Sequence, residues 1–306
     1  MDDYAARLDM LAQRLPDIAE REGCLSRYSA AGIGGPADLL IVAKSRDDLL
    51  RAVTQSWSLG LPLKVFGGLT NCLISDDGVA GVVILNLARN FRFEEGYRVF
   101  AESGAIVVQV SREVVRRGWG GLTWAVGLPG TIGGAVVNNA GAFGGEISRI
   151  LASAEVVGPD GAAREVAPSW FDFRYRCSRL KGAGEKWVVL SAVFQLREGD
   201  QEHLQAVAET YTQRRRGTQP PGKTLGSTFK NPEGDSAGRL IEAAGLKGVR
   251  VGGVSISTKH ANFFINDAHG TAADYQALIR LVQDEVRQQF CVSLEPEIEF
   301  VGRREA

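Results

Sequence analysis

Two stretches of the chain hold residue types suited to gripping a ligand. Gly127 to Glu146 reads GLPGTIGGAVVNNAGAFGGE, and seven of these residues are glycine. Glycine loses more backbone freedom on folding than any other residue, so a cluster needs a cause. Either the backbone takes positive φ, or a body lies directly against the main chain. A phosphate or a planar ring pressed onto main-chain N–H groups meets both conditions. Ile132, Ala135, Val136 and Val137 make the stretch too apolar for an ordinary solvated loop. The second stretch, Gly67-Gly68-Leu69-Thr70-Asn71, follows the run Leu61 to Phe66 without a break. Paired glycines at the end of a strand, then a hydroxyl and an amide, have the form of a phosphate cradle, although tight turns use the same residues. The pattern is neither G-x-G-x-x-G nor a P-loop, because no lysine follows. A third group, Arg174, Arg176, Arg179 and Lys181, reads by itself as surface ion pairing.

The elements that must position these stretches follow from periodicity. Tyr4, Leu8, Leu11 and Leu15 recur at helical spacing up to Pro16. Asp38 to Val42 is a buried strand. Ser45 and Asp48 form a capping box for a helix with Leu49, Leu50, Val53 and Trp57 on one face and Gly60 as its stop. Leu61 to Phe66 and Gly81 to Leu85 are strands, and Ala105 to Arg117 is a helix despite its β-branched residues. Val156 to Val166 is a hairpin turning at Pro159-Asp160-Gly161, and Trp187 to Leu196 a half-buried strand. Leu204 to Arg216 is a polar helix, so a domain boundary is expected near Gly199. Beyond it come a short helix, Ala237 to Ala244, a strand, Phe263 to Ile265, and a helix capped by Thr271 and Asp274. That helix buries Tyr275, Leu278, Ile279, Val282, Val286 and Phe290, and Leu294 to Val301 is the last strand.

Composition narrows the function classes. The chain has 306 residues, of which 44% are hydrophobic and 23% charged, the balance of a globular protein large enough for two or three domains. A net charge of −1 argues against a nucleic-acid partner. Cys24, Cys72, Cys177 and Cys291 are far apart and form no C-x-x-C pair, which argues against a bound metal and fits reduced thiols in a cytoplasm. The acidic start and the lack of a spanning apolar run predict neither signal peptide nor membrane association.

Eight pieces, in order, resemble the UDP-N-acetylenolpyruvoylglucosamine reductase (MurB) family. They are IGGPADL (33–39), the loop 67–76, GLPGTIGGAVVNNAGAFGGE, Tyr175-Arg176-Cys177-Ser178, GSTFKNP (226–232), AGRLIEAAGLKG (237–248), KHANFFIN (259–266) and LEPEIEF (294–300). They span nearly the whole chain, and their ordered set is specific where each alone is not. The length resembles the shorter, type II form without an extra substrate-covering insertion.

The resemblance implies an α+β fold. Two FAD-binding subdomains of the vanillyl-alcohol-oxidase type, 1–90 and 91–199, precede a C-terminal α/β substrate domain, 200–306. It implies non-covalent FAD, reduction by NADPH, and reduction of an enolpyruvyl nucleotide sugar in peptidoglycan precursor synthesis by a cytoplasmic monomer or weak homo-oligomer. Arg176, Ser227 and Glu297 match the catalytic positions: a carboxylate grip, a proton donor and an active-site glutamate. The cofactor-binding expectation covers Gly67, Gly68, Leu69, Thr70, Asn71, Gly127, Pro129, Gly130, Thr131, Gly133, Gly134 and Arg215. Tyr175, Lys230, Asn231, Lys259 and His260 are the expected substrate contacts; His260 reads equally well as a satisfied buried histidine. Leu69-Thr70 stands where the family has Gly-Ser, Asn138 where it has methionine, and Ser29-Ala30 where it has two threonines. Two other readings stay open: a non-catalytic relative that binds flavin or nucleotide sugar, and another flavin oxidoreductase of the same fold.

Overall fold

The computed structural model describes residues 2–181 and 186–303. In chain order it begins with α1 (Asp2–Arg14), β1 (Ala19–Arg21), β2 (Ala37–Ala43), α2 (Arg46–Ser58), β3 (Leu63–Phe66), β4 (Cys72–Ile74) and β5 (Val79–Asn86). Next come β6 (Phe91–Glu94), β7 (Arg98–Glu102), α3 (Val107–Arg116), β8 (Trp119–Gly120), α4 (Ile132–Val137), β9 (Gly141–Ala142) and β10 (Gly145–Glu146). Then β11 (Leu151–Val157), β12 (Ala163–Val166), β13 (Val188–Gln195), β14 (Arg197–Glu198), α5 (Gln201–Thr218) and α6 (Ala237–Ala243) follow. The described chain closes with β15 (Arg250–Val251), β16 (Val254–Ile256), β17 (Phe264–Asn266), α7 (Ala272–Phe290) and β18 (Glu299–Val301).

Contacts divide these elements into two units. The first takes residues 1–21, 38–67 and 81–215; the second takes 22–37, 68–80 and 216–306. In the first unit, one sheet runs β1-β2-β5-β3, with β3 and β5 parallel, and a second, antiparallel sheet runs β12-β11-β13-β7-β6. Leu8, Leu11 and Leu15 of α1 and its exit pack with Leu49 and Val53 of α2 and with Leu39, Ile41, Val82 and Ile84 of the first sheet. Val107, Val110 and Val114 of α3 pack with Ile132 and Val136 of α4 and with Val99, Val156 and Phe194 of the second sheet. The second unit has the antiparallel sheet β15-β16-β17 and a parallel pair, β4 with β18. Its core joins Phe229, Leu240, Ile241, Phe264 and the α7 face of Tyr275, Leu278, Ile279, Val282 and Val286.

Local chemistry set these elements as the sequence suggests. The Ser45 hydroxyl accepts from Asp48 N while Asp48 accepts from Ser45 N, both at 3.1 Å, and Thr271 and Asp274 repeat the arrangement on α7. Gly60 takes φ +62° after α2, and Gly161 φ +74° in the β11–β12 turn. One expectation needed correction. The last strand is only β18, because Pro296 lacks an N–H and Leu294 to Ile298 pairs elsewhere through single bonds. Phe290, on the expected α7 face, is half-buried and packs against that core. Six residues of the glycine-rich stretch form the helix α4, although glycine is a poor helix former. The β6–β7 hairpin lies outside the predicted elements, although Phe91, Phe93, Val99 and Ala101 alternate around Gly96. No described helix is long and apolar enough to cross a membrane.

Candidate active site

Gly67, the first residue of one glycine-rich turn, meets the other within the first unit. A Cβ on Gly67, at the end of β3, would fall well inside van der Waals contact of the Thr131 side chain, which precedes α4. Gly67 is therefore glycine because of Thr131. Gly133 lies against Ser103 in the same way: its N–H donates to Ser103 O at 2.7 Å, and Ile132 N donates to Ala105 O at 2.9 Å. Gly130 at φ +113° gives its carbonyl to Val107 N at 3.1 Å. Part of the glycine signal thus comes from main chain packed on main chain. A Cβ on Gly134 would reach nothing nearer than Thr131 Oγ1 at 3.7 Å, so that face has room.

Arg176 sits in a tight turn. Arg174 N donates to Cys177 O at 3.0 Å and Cys177 N to Arg174 O at 3.1 Å, which leaves Tyr175 and Arg176 at the tip. Arg176 takes φ +54°, a left-handed conformation unusual for a side chain of this size. Several bonds hold it there. Its Nη2 donates to Gly141 O at 2.7 Å, and Lys181 Nζ donates to Arg176 O at 3.2 Å and to Asn138 Oδ1 at 2.8 Å. Asn138 therefore helps to fix the arginine turn. Buried Asn139 and Ser178, missed from sequence, donate to Arg174 O at 3.1 Å and Val137 O at 2.7 Å. Tyr175 is 56% exposed, with the Arg176 guanidinium 5.1 Å from its ring centre.

Arg215, late in α5, is near enough to Arg176 to feel its charge. Burial first, and the Arg176 guanidinium second, push Arg215 below its ordinary value. Its Nε is buried with no hydrogen-bond partner, and its Cδ would be 2.6 Å from a Cβ on Gly127. Both Arg214 and Arg215 lie over the Phe143 ring, at 5.7 and 5.3 Å, and the opposed Tyr211 ring is stacked on Phe143 at 4.1 Å and 1°. Two adjacent guanidiniums with a buried unpaired N–H make a place for an anion.

The second unit holds Ser227 and Glu297 on neighbouring segments. Glu297 N donates to Thr228 O at 2.8 Å, Lys230 N to Glu295 O at 2.9 Å, and Phe229 bridges Pro296. On the other side, Thr228 N donates to Asn262 O at 2.8 Å and Ser227 bridges Phe263. Ser227, Glu297 and Arg176 are all half-buried, whereas Glu295 and Glu299 are exposed. Asn71 reaches the same segment: its Nδ2 donates to Glu297 O at 3.1 Å and its carbonyl accepts from Glu299 N at 2.9 Å. Leu69 is buried at φ +46°, and its carbonyl accepts from Ala30 N at 3.2 Å; Ser29 Oγ, next along, is buried without a partner.

The expected substrate contacts have partners of their own. Lys230 Nζ pairs with Glu295, Lys259 Nζ donates to Arg216 O, and Asn231 Oδ1 accepts from Ala237 N at 3.1 Å. His260 Nδ1 accepts from Asn262 N at 3.2 Å, and burial, followed by the Lys247 ammonium, holds its imidazole below the usual value. The described residues contain no cluster of three metal-ligating side chains.

Known proteins resemble this chain. The FAD binding domain family matches residues 37–167, and the C-terminal domain family of UDP-N-acetylenolpyruvoylglucosamine reductase matches residues 218–301. UDP-N-acetylenolpyruvoylglucosamine reductase from Rubrobacter xylanophilus is 43% identical over 296 residues, 96% of this chain and 99% of that protein. The chain belongs to the UDP-N-acetylenolpyruvoylglucosamine reductase family. Its Streptococcus thermophilus member is 40% identical over 96% of this chain and 97% of its own. The crystal structure of the reductase from Thermus caldophilus superposes with a TM-score of 0.80 at 34% identity, covering 92% of this chain and 98% of that one. Membership makes the chain an FAD-binding oxidoreductase with the α+β fold expected from its sequence. The residues of the first unit fit FAD: Arg215 Nε is a buried donor without a protein partner, and Gly134 has room beside it.

Proposed function

We propose that this chain reduces the enolpyruvyl ether of UDP-N-acetylglucosamine to the lactyl ether, UDP-N-acetylmuramate, with NADPH as reductant, in peptidoglycan precursor synthesis. The observation that carries this reading is the bond from Glu297 N to Thr228 O, which ties the serine-bearing segment to the glutamate-bearing one. FAD, when bound, supplies hydride for the methylene carbon of the enolpyruvyl group. Gly67 to Asn71, Gly127 to Gly134 and Arg215 would hold it.

Each catalytic residue then has one task. Negative charge develops on the carbon beside the substrate carboxylate and spreads into it. Arg176, permanently charged and pinned in its turn, grips that carboxylate and stabilises the charge. The Ser227 hydroxyl donates a proton to the carbon; a basic enolate one hydrogen bond away can take it from so weak an acid. Glu297 acts at the same end of the substrate. Around them, His260 offers Nε2 and Asn231 offers Nδ2 to phosphate or sugar, their other polar atoms being committed. Tyr175, Lys230 and Lys259 complete the proposed substrate contacts. The parts proposed for these roles are 1–90 and 91–199 for flavin and 200–306 for the sugar nucleotide. The four free thiols fit a reducing cytoplasm.

The absorption spectrum of purified protein tests the reading. Flavin bands should bleach with NADPH and return on adding the enolpyruvyl sugar nucleotide. Protein that takes up no flavin, or a bleached flavin unmoved by the sugar, would overturn it.

A further inference from the structure

We infer that Asn262 is a positioning residue for the reaction: its side chain acts as a strand neighbour for Phe229 and so fixes the segment that presents Ser227. The inference rests on the reading of Ser227 as proton donor. The geometry is reciprocal. Asn262 Nδ2 donates to Phe229 O at 2.8 Å, and Asn262 Oδ1 accepts from Phe229 N at 2.9 Å. One amide therefore meets both main-chain groups of one residue, as a paired strand would. Asn262 is 3% exposed and Phe229 1%, so no solvent competes. Without the amide, two buried main-chain groups would be left unpaired.

The clamp completes a three-ply register. From one side Glu297 N holds Thr228 O and Glu295 O holds Lys230 N; from the other Asn262 holds Thr228 N through its carbonyl and Phe229 through its side chain. Thr228 itself is fully buried, with Oγ1 3.4 Å from the Tyr275 hydroxyl of α7. Ser227 thus adjoins a three-residue segment that is held from one side by the Glu295–Glu297 stretch and from the other by Asn262. Main-chain bonds hold Thr228 and Lys230; the Asn262 amide alone holds the N–H and C=O of Phe229 between them. His260 Nδ1, accepting from Asn262 N, orients the clamp in turn. Reactive-group misplacement by about 1 Å can lower a rate by roughly 10²-fold, so loss of the clamp should appear in the rate itself.

Stopped-flow measurement of the two half-reactions of the FAD-loaded enzyme tests this, alongside melting curves. Asn262→Ala should keep its flavin and be reduced by NADPH within about threefold of wild type, while its limiting reoxidation rate by the sugar nucleotide falls about 10²-fold. The half-saturating sugar concentration should change little. Val286→Ala, a truncation in the α7 core, is the control for lost stability alone; it should slow neither half-reaction.

Asn262→Asp supplies a second readout. As the neutral acid it can accept from Phe229 N and donate to Phe229 O, whereas ionised it can only accept. Its reoxidation rate relative to wild type should therefore climb as pH falls. The groups around it, His260 with Lys247 and Glu242, Lys230 with Glu295, Glu297 and Tyr275, are present in both proteins and cancel in that ratio. Equal slowing of Asn262→Ala and Val286→Ala, or a flat Asp-to-wild-type ratio, would overturn the inference. If Ser227→Ala also leaves reoxidation unchanged, the donor reading fails with it; if Ser227→Ala alone is slow, only the clamp is wrong.

Discussion

At the scale of single residues the candidate site divides into chemistry and support. Ser227 is the sharpest case. Ser227→Ala should bind FAD and accept hydride from NADPH normally, yet reoxidise at least 10²-fold more slowly with the enolpyruvyl sugar, since general acid catalysis is typically worth about 10²–10⁴-fold. Ser227→Cys should recover part of the rate, because a thiol of similar size also donates. A Ser227→Ala enzyme within about tenfold of wild type, with only its melting point lowered, would reduce Ser227 to a turn residue. The proposal of Arg176, Ser227 and Glu297 was legible in motif order. Their supports were not. Asn139, Ser178 and Asn262 act through bonds to residues 35, 41 and 33 positions away, and no local pattern records such a partner. Leu69 is buried within its turn. Gly67 and Gly133 have a cause within the protein, because each is forced by Thr131 or Ser103.

At the scale of elements, legibility followed local encoding. α2 and α7 could be read because a capping box and an apolar stripe fix each start and face. α4 could not, because propensity opposes it and its contacts with Ser103 and Ala105 decide. α5 raises a different issue: none of its residues is fully buried. Its Tyr211 to Arg215 portion is joined to the β9–β10 turn through Phe143, by one stacked ring and two guanidiniums. Aromatic pairs of this kind contribute about 0.5–1.5 kcal/mol beyond the area they bury. Phe143→Ala should therefore speed amide exchange around residues 211–215 by roughly two- to tenfold while leaving exchange in α2 unchanged. FAD affinity should fall with it if Arg215 contacts the cofactor. Uniform exchange across the protein, before and after the change, would show that the ring holds nothing.

At the scale of the whole molecule, stability and assembly come into view. His260 is held below its ordinary value by burial and by Lys247. The unfolded chain then binds the proton more readily than the folded one, so stability rises with pH across the window below about 6.5 and is lost on acidification. Melting temperature should drop between about pH 7 and pH 5, and drop less in His260→Asn, whose Oδ1 can stand where Nδ1 stood. Identical pH slopes in the two proteins would remove His260 as the cause. Overall class was readable from composition and motif order, but the interleaving of residues 22–37 and 68–80 with 216–306 was not. Partner choice across such separations has no period and no composition shift to mark it. The bond from Asn71 to the Glu297 carbonyl spans 226 positions, and β4 lies parallel to β18 just beyond it. At about 5–20 residues per second of synthesis, β4 waits roughly 10–45 seconds for the strand that covers it. Until then its Leu73 and Ile74, both buried in the finished fold, face the cell without a partner from β18, and a nascent chain stalled in that interval presents an open strand edge to chaperones.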